Sequence, residues 1–217
     1  EPITDSAIVI SSMVDAVMLR LSSHEDIIEF SKHSTKPVIN ALSDESHPCQ
    51  ILADLMTYQE QRGSIKGKKI AWIGDGCNVC QTYMQAANIF DFSLSIATPE
   101  GYEPSQSYVD KYQNNVEYFN KPLDACVDAD IIVTDVWTSM GQESEQKERE
   151  LAFKGFQVDK EMMSKAKNDV IFMHCLPAYR GKEVSADVID GKQSVIWDEA
   201  ENRLHVQKAL LLYLIEN

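Results

Sequence analysis

Three short apolar runs, each ending abruptly on polar side chains, most narrow what this chain can fold into. Residues 69–74 lead into Asp75-Gly76-Cys77-Asn78, residues 130–133 into Asp135-Val136-Trp137-Thr138-Ser139-Met140-Gly141, and residues 170–173 into His174-Cys175-Leu176-Pro177. Runs of this length are too short for helices and read as strands buried on both faces. In an open α/β sheet, ligands gather beyond the carboxyl ends of the strands. The three tips can therefore meet in one crevice.

The rest of the chain fits that frame. After residue 69, strands at 70–73, 93–98, 116–119, 131–134 and 170–173 alternate with helices at 78–90, 105–114, 122–129 and 158–167, the pattern of a parallel sheet. A short helix at 185–189, a last strand at 195–197 and a closing helix at 199–215 complete the run. That closing helix is apolar nearly all round and is expected to be buried. Residues 142–149 are highly charged and read as a solvated helix or mobile loop. Upstream, a helix over 6–13 capped by Thr4 or Asp5 comes first. An apolar run at 16–21 containing Arg20, a helix after Ser22-Ser23-His24-Glu25 and a strand at 37–42 then form a βαβ unit. Pro48 suits the first position of the next helix, with His47 as its cap and Gly63 beyond its end near Arg62. On that helix Ile51, Leu52, Leu55 and Met56 form the expected buried stripe, while His47, Gln50 and Asp54 share a different face.

Charge and cysteine usage limit the partners. The 34 acidic against 20 basic side chains give −14, which argues against non-specific binding to nucleic acid or an anionic membrane. An anionic ligand needs a local cluster of arginines. Five cysteines, an odd number without a dense framework, favour reduced thiols and a cytoplasmic setting. No signal peptide is evident, and no apolar run is long enough to span a bilayer.

Each motif has a plain reading beside the chemical one. Gly74-Asp75-Gly76 opens a helix after a strand, as a dinucleotide loop does, but the third glycine and the acidic residue near Ala97 are missing. Helix N-terminal amides with Asn78 suit a carboxylate instead. Cys77 and Cys80 read as free buried thiols, since no second pair offers zinc-ribbon spacing. His47 with Gln50, and His174 with Cys175, can be read as metal ligands or nucleophilic pairs. Adjacent residues on a strand face opposite ways, so His174 and Cys175 make no dyad. Asp135 with Ser139-Met140-Gly141 is either a ligand site or a glycine-capped acidic loop. A salt bridge to its acidic neighbours is the default for Arg203.

In order, His47-Pro48-Cys49-Gln50-Ile51-Leu52-Ala53-Asp54, Gly74-Asp75-Gly76-Cys77-Asn78, Asp135-x-x-x-Ser139-Met140-Gly141, His174-Cys175-Leu176-Pro177 and Glu199-Ala200-Glu201-Asn202-Arg203 closely resemble the ornithine carbamoyltransferases. The pairing of Asp-x-x-x-Ser-Met-Gly with His-Cys-Leu-Pro separates these from aspartate carbamoyltransferases. The resemblance implies an α/β fold of two parallel-sheet domains, the first incomplete here. Residues 1–62 would be the latter part of a carbamoyl-phosphate domain, completed by the helix 199–217, and residues 63–198 an ornithine domain. It implies a homotrimer that transfers a carbamoyl group from carbamoyl phosphate to L-ornithine, without metal or organic cofactor. Carried over by position, Arg20, His47 and Arg203 hold phosphate and carbonyl oxygen. Gln50 and the backbone carbonyls of Cys175 and Leu176 accept from the carbamoyl NH2. Asn78, Asp135, Ser139 and Met140 form the ornithine site. Cys175 is then a neighbour of the amine rather than a nucleophile.

The family's phosphate loop, Ser-Thr-Arg-Thr-Arg, does not occur among these residues, so it is expected upstream of Glu1. The 217 residues alone are then expected to be incompetent and to expose surface where missing elements packed. A non-catalytic module binding an amino acid or a partner, and a transferase for a related amine such as putrescine, are the alternatives. The Ser139-Met140-Gly141 turn, suited to an amino-acid head group, speaks against the latter.

Overall fold

A computed structural model of the protein describes residues 1–139 and 141–216. The chain opens with α1 (Ile3–Ser11), β1 (Val17–Arg20), α2 (His24–His33), β2 (Val38–Leu42) and α3 (Pro48–Arg62). β1 and β2 run parallel, with Val17 opposite Val38. α2 connects them because its ends are well formed: the Ser23 hydroxyl accepts the Asp26 N–H, with acidic residues in the first turn and Lys32 and His33 in the last. Ala7, Val17 and Phe30 form the small core beneath.

The larger part is a five-stranded parallel sheet of β3 (Lys69–Ile73), β4 (Ser93–Ala97), β5 (Val116–Phe119), β6 (Ile131–Thr134) and β7 (Ile171–His174), in the order β5-β4-β3-β6-β7. α4 (Asn78–Phe90), α5 (Gln106–Lys111), α6 (Pro122–Ala125), α7 (Gln146–Ala152), α8 (Lys160–Lys165) and α9 (Ala186–Ile189) connect or flank the strands, and α10 (Ile196–Glu216) closes the chain. Alternate residues pack on opposite faces: Ala71, Ile73, Ile132 and Phe172 on one, Ile70, Trp72, Val133 and Met173 on the other. That two-sided burial is why the strands read as unbroken apolar runs. Each fully buried large side chain contributes about 1.5–3 kcal/mol.

The chain builds outward from β3 through β4 to β5, then returns to the other side of β3 for β6 and β7. The reversal puts the tips of β3 and β6 side by side, a switch point where the connecting loops splay apart. Gly76 sits in that crevice. A Cβ there would stand 2.2 Å from the Pro104 nitrogen and 2.4 Å from the Glu103 carbonyl carbon, and its N–H donates to the Tyr102 carbonyl. The glycine thus serves a close chain crossing within the protein.

Four expectations are corrected by packing. The buried face of α3 is the polar one: Gln50, Asp54 and Thr57 join Ile51, Ala53 and Tyr58 inside, whereas Leu52, Leu55 and Met56 are only half-buried. Partners on α4 and α10 satisfy those polar groups, so burial does not penalise them. The expected strand at 195–197 is the approach to and first turn of α10, where the Glu199 N–H donates to the Val195 carbonyl. α10 is not buried all round. Its polar side packs on α3, leaving Leu204, Leu212 and Ile215 exposed, as are Ile8, Val9 and Met13 near the start of the chain. The charged run before residue 150 is not wholly solvated, because Arg149 is 7% exposed. Its charge is neutralised indoors, as described below.

Gly76→Ala is expected to cost at least the upper end of the ~1–3 kcal/mol typical of overpacking, because the clash is with backbone that cannot rotate away. Urea unfolding would show a lowered midpoint with little change in slope.

Candidate active site

At the start of α3, Pro48 leaves no N–H to satisfy, and the His47 imidazole makes no capping bond. His47 is anchored through its backbone N–H, which donates to the Thr82 hydroxyl at 2.8 Å. Its Nδ1 is buried without a partner among the described residues, as is Nε of Arg203 on α10. Burial, followed by the charges of Arg203 and Arg20, pulls the His47 imidazole down to about 4. At neutral pH it is an uncharged ring that can donate one hydrogen bond. Arg20 stands exposed at the end of β1 and contributes here through its charge. Arg203 forms no ion pair with its acidic neighbours among the described residues; its Nη1 donates to the Gln50 amide oxygen at 2.7 Å. That replaces the expected local salt bridge, since Gln50 lies on the facing helix within reach.

Gln50 is fully engaged. Its Nε2 donates to Asp54 Oδ1 at 2.8 Å and to Glu199 Oε1 at 3.0 Å. Tyr83 donates its hydroxyl to Asp54 Oδ2 at 2.6 Å, and Glu199 Oε2 accepts the backbone N–H of His174 at 2.9 Å. Burial pushes Asp54 up to about 6. Burial and then the Asp54 charge push Glu199 well above the usual carboxyl range. One helix of the first unit is thereby bolted to α4, α10 and the tip of β7.

At the β7 tip His174 is structural rather than reactive. Its Nδ1 accepts the Leu176 N–H at 2.9 Å, which assigns the proton to Nε2, 3.3 Å from Glu183 Oε1. That clamp supports Leu176 in a left-handed conformation, φ 56°, which a side chain rarely adopts unsupported. Cys175 donates its thiol to Asp135 Oδ1 at 3.1 Å. Asp135 also accepts the Val136 N–H at 2.7 Å and, more distantly, the Cys77 thiol at 3.8 Å. Burial and then the Asp135 charge raise both thiols well above their usual range, so both remain protonated. Neither is a thiolate nucleophile. Asp135 is 7% exposed and has no cationic partner among the described residues.

The ligand atoms of Asp135, His174 and Cys175 lie within 4.8 Å of one another, a spacing that could suit a metal. Each is already engaged, the thiol and imidazole by the bonds just given. Cys80 is buried in the core of α4. Asn78 opens α4 with its Nδ2 donating to the Ser43 carbonyl at 2.7 Å, joining the sheet unit to the loop after β2. Ser139 lines a cavity of about 270 Å3 with Trp137, Glu143, Glu150, Lys182 and Glu183, and donates its N–H to Gln142. Met140, expected beside it, lies outside the described residues.

Sequence reasoning missed the buried ion pair that ties the crevice loops together. Arg149 Nη1 donates to Asp75 Oδ2 at 2.7 Å and to the Trp137 carbonyl at 3.0 Å, its Nε meets Glu145, and its guanidinium lies over the Tyr102 ring. The loop after β3 and the loop after β6 are thus tied to one charge. Glu199 was equally unassigned. Its signal was its place one turn before Arg203, on the same helix face.

Comparison with known proteins agrees with this architecture. Residues 1–60 match the carbamoyl-P binding domain, and residues 66–214 the Asp/Orn binding domain, of aspartate/ornithine carbamoyltransferases. The ornithine carbamoyltransferase of Ruthia magnifica is 63% identical over 99% of this chain and 72% of its own length. Crystallised ornithine carbamoyltransferase from Burkholderia thailandensis superposes with a TM-score of 0.92 at 51% identity, covering 99% of this chain and 70% of that one. The enzyme from Pyrococcus furiosus gives 0.94 at 49%, covering 100% and 72%. The chain belongs to the aspartate/ornithine carbamoyltransferase family, on its ornithine carbamoyltransferase branch.

Two predictions follow from the charges. The unfolded chain binds a proton at His47 near the ordinary histidine value of about 6.5, the folded one only near 4. Stability is therefore full above pH 6.5 and falls as pH drops towards 4, by roughly 3 kcal/mol if the whole difference is expressed. Unfolding measured across that window should flatten in His47→Gln. Arg149→Met strands the buried Asp75 carboxylate and should destabilise by about 3–5 kcal/mol. The double variant Arg149→Met/Asp75→Leu should recover much of that loss in a denaturation cycle.

Proposed function

We propose that this chain carries the site at which a carbamoyl group passes from carbamoyl phosphate to the side-chain amine of L-ornithine, giving L-citrulline and phosphate in arginine metabolism. The observation that supports this best is a single continuous path across the crevice. Arg203 bonds to Gln50, Gln50 to Glu199, Glu199 to the His174 backbone, and the next residue, Cys175, to Asp135. It joins a cationic end with unpartnered donor groups to an anionic end with no cation, as a phosphate donor and an amino-acid acceptor require.

The chemistry follows from the charges. The amine's lone pair attacks the carbamoyl carbon and a C–N bond forms. Negative charge develops on the carbonyl oxygen, and the C–O bond to phosphate then breaks. Neutral His47 and the Arg203 guanidinium are the donors aimed at that oxygen, with Arg20 adding positive charge for the phosphate. Gln50 and the carbonyls of Cys175 and Leu176 take the carbamoyl NH2. Asp135 and Ser139, with Met140, take the ornithine ammonium head, and Asn78 at a helix start faces its carboxylate. The attacking amine must shed its proton, so rate rises with pH.

The division of labour is residues 1–62 with α10 for the carbamoyl donor and residues 63–198 for ornithine. The working form is a cytoplasmic homotrimer. Free cysteines and the lack, among the described residues, of any helix long and apolar enough to cross a membrane are compatible with that setting. Without a Ser-Thr-Arg-Thr-Arg segment the 217 residues by themselves grip phosphate too weakly for turnover, since each charge-assisted hydrogen bond is worth about 1.5–3 kcal/mol.

In the whole protein, citrulline and phosphate should appear one to one. Asp135→Asn should raise the ornithine KM by about tenfold or more and leave the carbamoyl phosphate Kd unchanged. Ornithine binding with no citrulline would favour a binding module instead. Faster turnover of putrescine than ornithine would reassign the amine.

A further inference from the structure

The proposed transfer uses neither Asp54 nor Glu199, yet these carboxyls hold Gln50 and the backbone N–H just before Cys175 and Leu176, the groups expected to meet the carbamoyl amino end. Asp54 is 2% exposed and Glu199 1%. The same Gln50 Nε2 donates to one oxygen of each, at 2.8 and 3.0 Å, so the two carboxyls converge on a single amide nitrogen. Facing the pair are the Tyr83 hydroxyl from α4, Arg203 one turn along α10, and the His174 N–H and Cys175 thiol from β7. Two adjacent carboxylates buried this deeply cannot both carry charge cheaply with only neutral donors and one guanidinium around them.

The Gln50 amide can be oriented from these contacts alone. Flipped, its oxygen would face two carboxyls and its NH2 would face the Arg203 guanidinium. The carboxyls therefore fix where the amide oxygen points. Glu199 does the same for β7, because its other oxygen holds the His174 N–H immediately before the Cys175 and Leu176 carbonyls.

We propose that Glu199, sharing one proton with Asp54, is a positioning residue that sets both acceptors for the donor's amino group and so makes the site prefer a carbamoyl over an acetyl donor. A carbamoyl NH2 can give hydrogen bonds to the remaining acceptor capacity of the fixed oxygens, the Gln50 oxygen already taking one bond from Arg203; an acetyl methyl gives none. The shift of both carboxyls towards the protonated form is what a shared proton requires. The specificity half of this proposal rests on the carbamoyl-transfer reading, whereas the shared proton does not.

Infrared spectroscopy of the whole protein at pH 7 tests the proton. A carbonyl stretch of a protonated carboxyl should be present in the wild type and vanish in Glu199→Gln, where the new amide N–H and the Tyr83 hydroxyl face a lone, ionised Asp54. Absence of the band from the wild type, or its survival in Glu199→Gln, overturns the proposal. Kinetics tests the positioning. Glu199→Gln supplies an amide N–H where the shared proton stood and should stay within about threefold of wild type. Glu199→Ala should raise the carbamoyl phosphate KM about tenfold while acetyl phosphate inhibits as before, because only hydrogen bonds to the amino end are lost. Equal weakening of both donors in Glu199→Ala, or failure of Glu199→Gln to rescue, would reduce Glu199 to a structural role. If the wild type makes no citrulline while the infrared band behaves as stated, the transfer reading has failed and the shared proton stands.

Discussion

The junction of α3, α4, α10 and β7 depends on two carboxyls buried against one glutamine. Gln50 can face Arg203 only because Asp54 and Glu199 occupy its other end. Glu199 in turn reaches the first backbone N–H that the β7 tip offers. Polar groups are costly to bury unless each has a partner, and here the partners are drawn from α3, α4, α10 and β7. Satisfying them forces α3, α4, α10 and β7 into one arrangement. The same demand explains why the polar face of α3 turns inward while its leucines and methionine lie at the margin.

The tips of β3 and β6 are organised by a different balance of charge. Asp135 collects two protonated thiols and a backbone N–H, all neutral donors, so its negative charge is held in place without being cancelled. Asp75, its neighbour in space across the switch point, is cancelled by Arg149. Of the two neighbouring acids, one is therefore available to a cation and the other is a fastening. The loops after β3 and β6 are held together by that fastening, with the Tyr102 ring beneath the guanidinium. These two loops lead to Asn78 and Ser139, so the crevice at the β3 and β6 tips is shaped by an arginine from a separate helix, α7.

Much of the framework was legible in the chain. Apolar runs at β3, β6 and β7 and the bounds of α3, α4 and β5 follow from periodicity, the Pro48 start and the Gly63 end. The approach to α10 was misread as a strand because three apolar residues in a row carry no period of their own, and the helix there is fixed by Glu199 reaching back to Val195. Arg149 was misplaced for the opposite reason. Its neighbours are charged, and only the fold shows that Asp75, distant in sequence, stands ready to receive it. Arg203 was paired with nearby acids in the sequence reading, when its partner is on another helix.

The sequence by itself determined the class of fold, the order of the strands along the chain, and which residue types stand at the strand tips. These depend on local periodicity, capping and the chemistry of short motifs. Tertiary structure alone decided which tips adjoin, that His174 is a clamp while Cys175 is a protonated donor, that His47 is neutral, and that Asp54 and Glu199 form a pair. Each of those outcomes is set by burial and by a partner many residues away, and neither quantity is written in the neighbours of a residue along the chain.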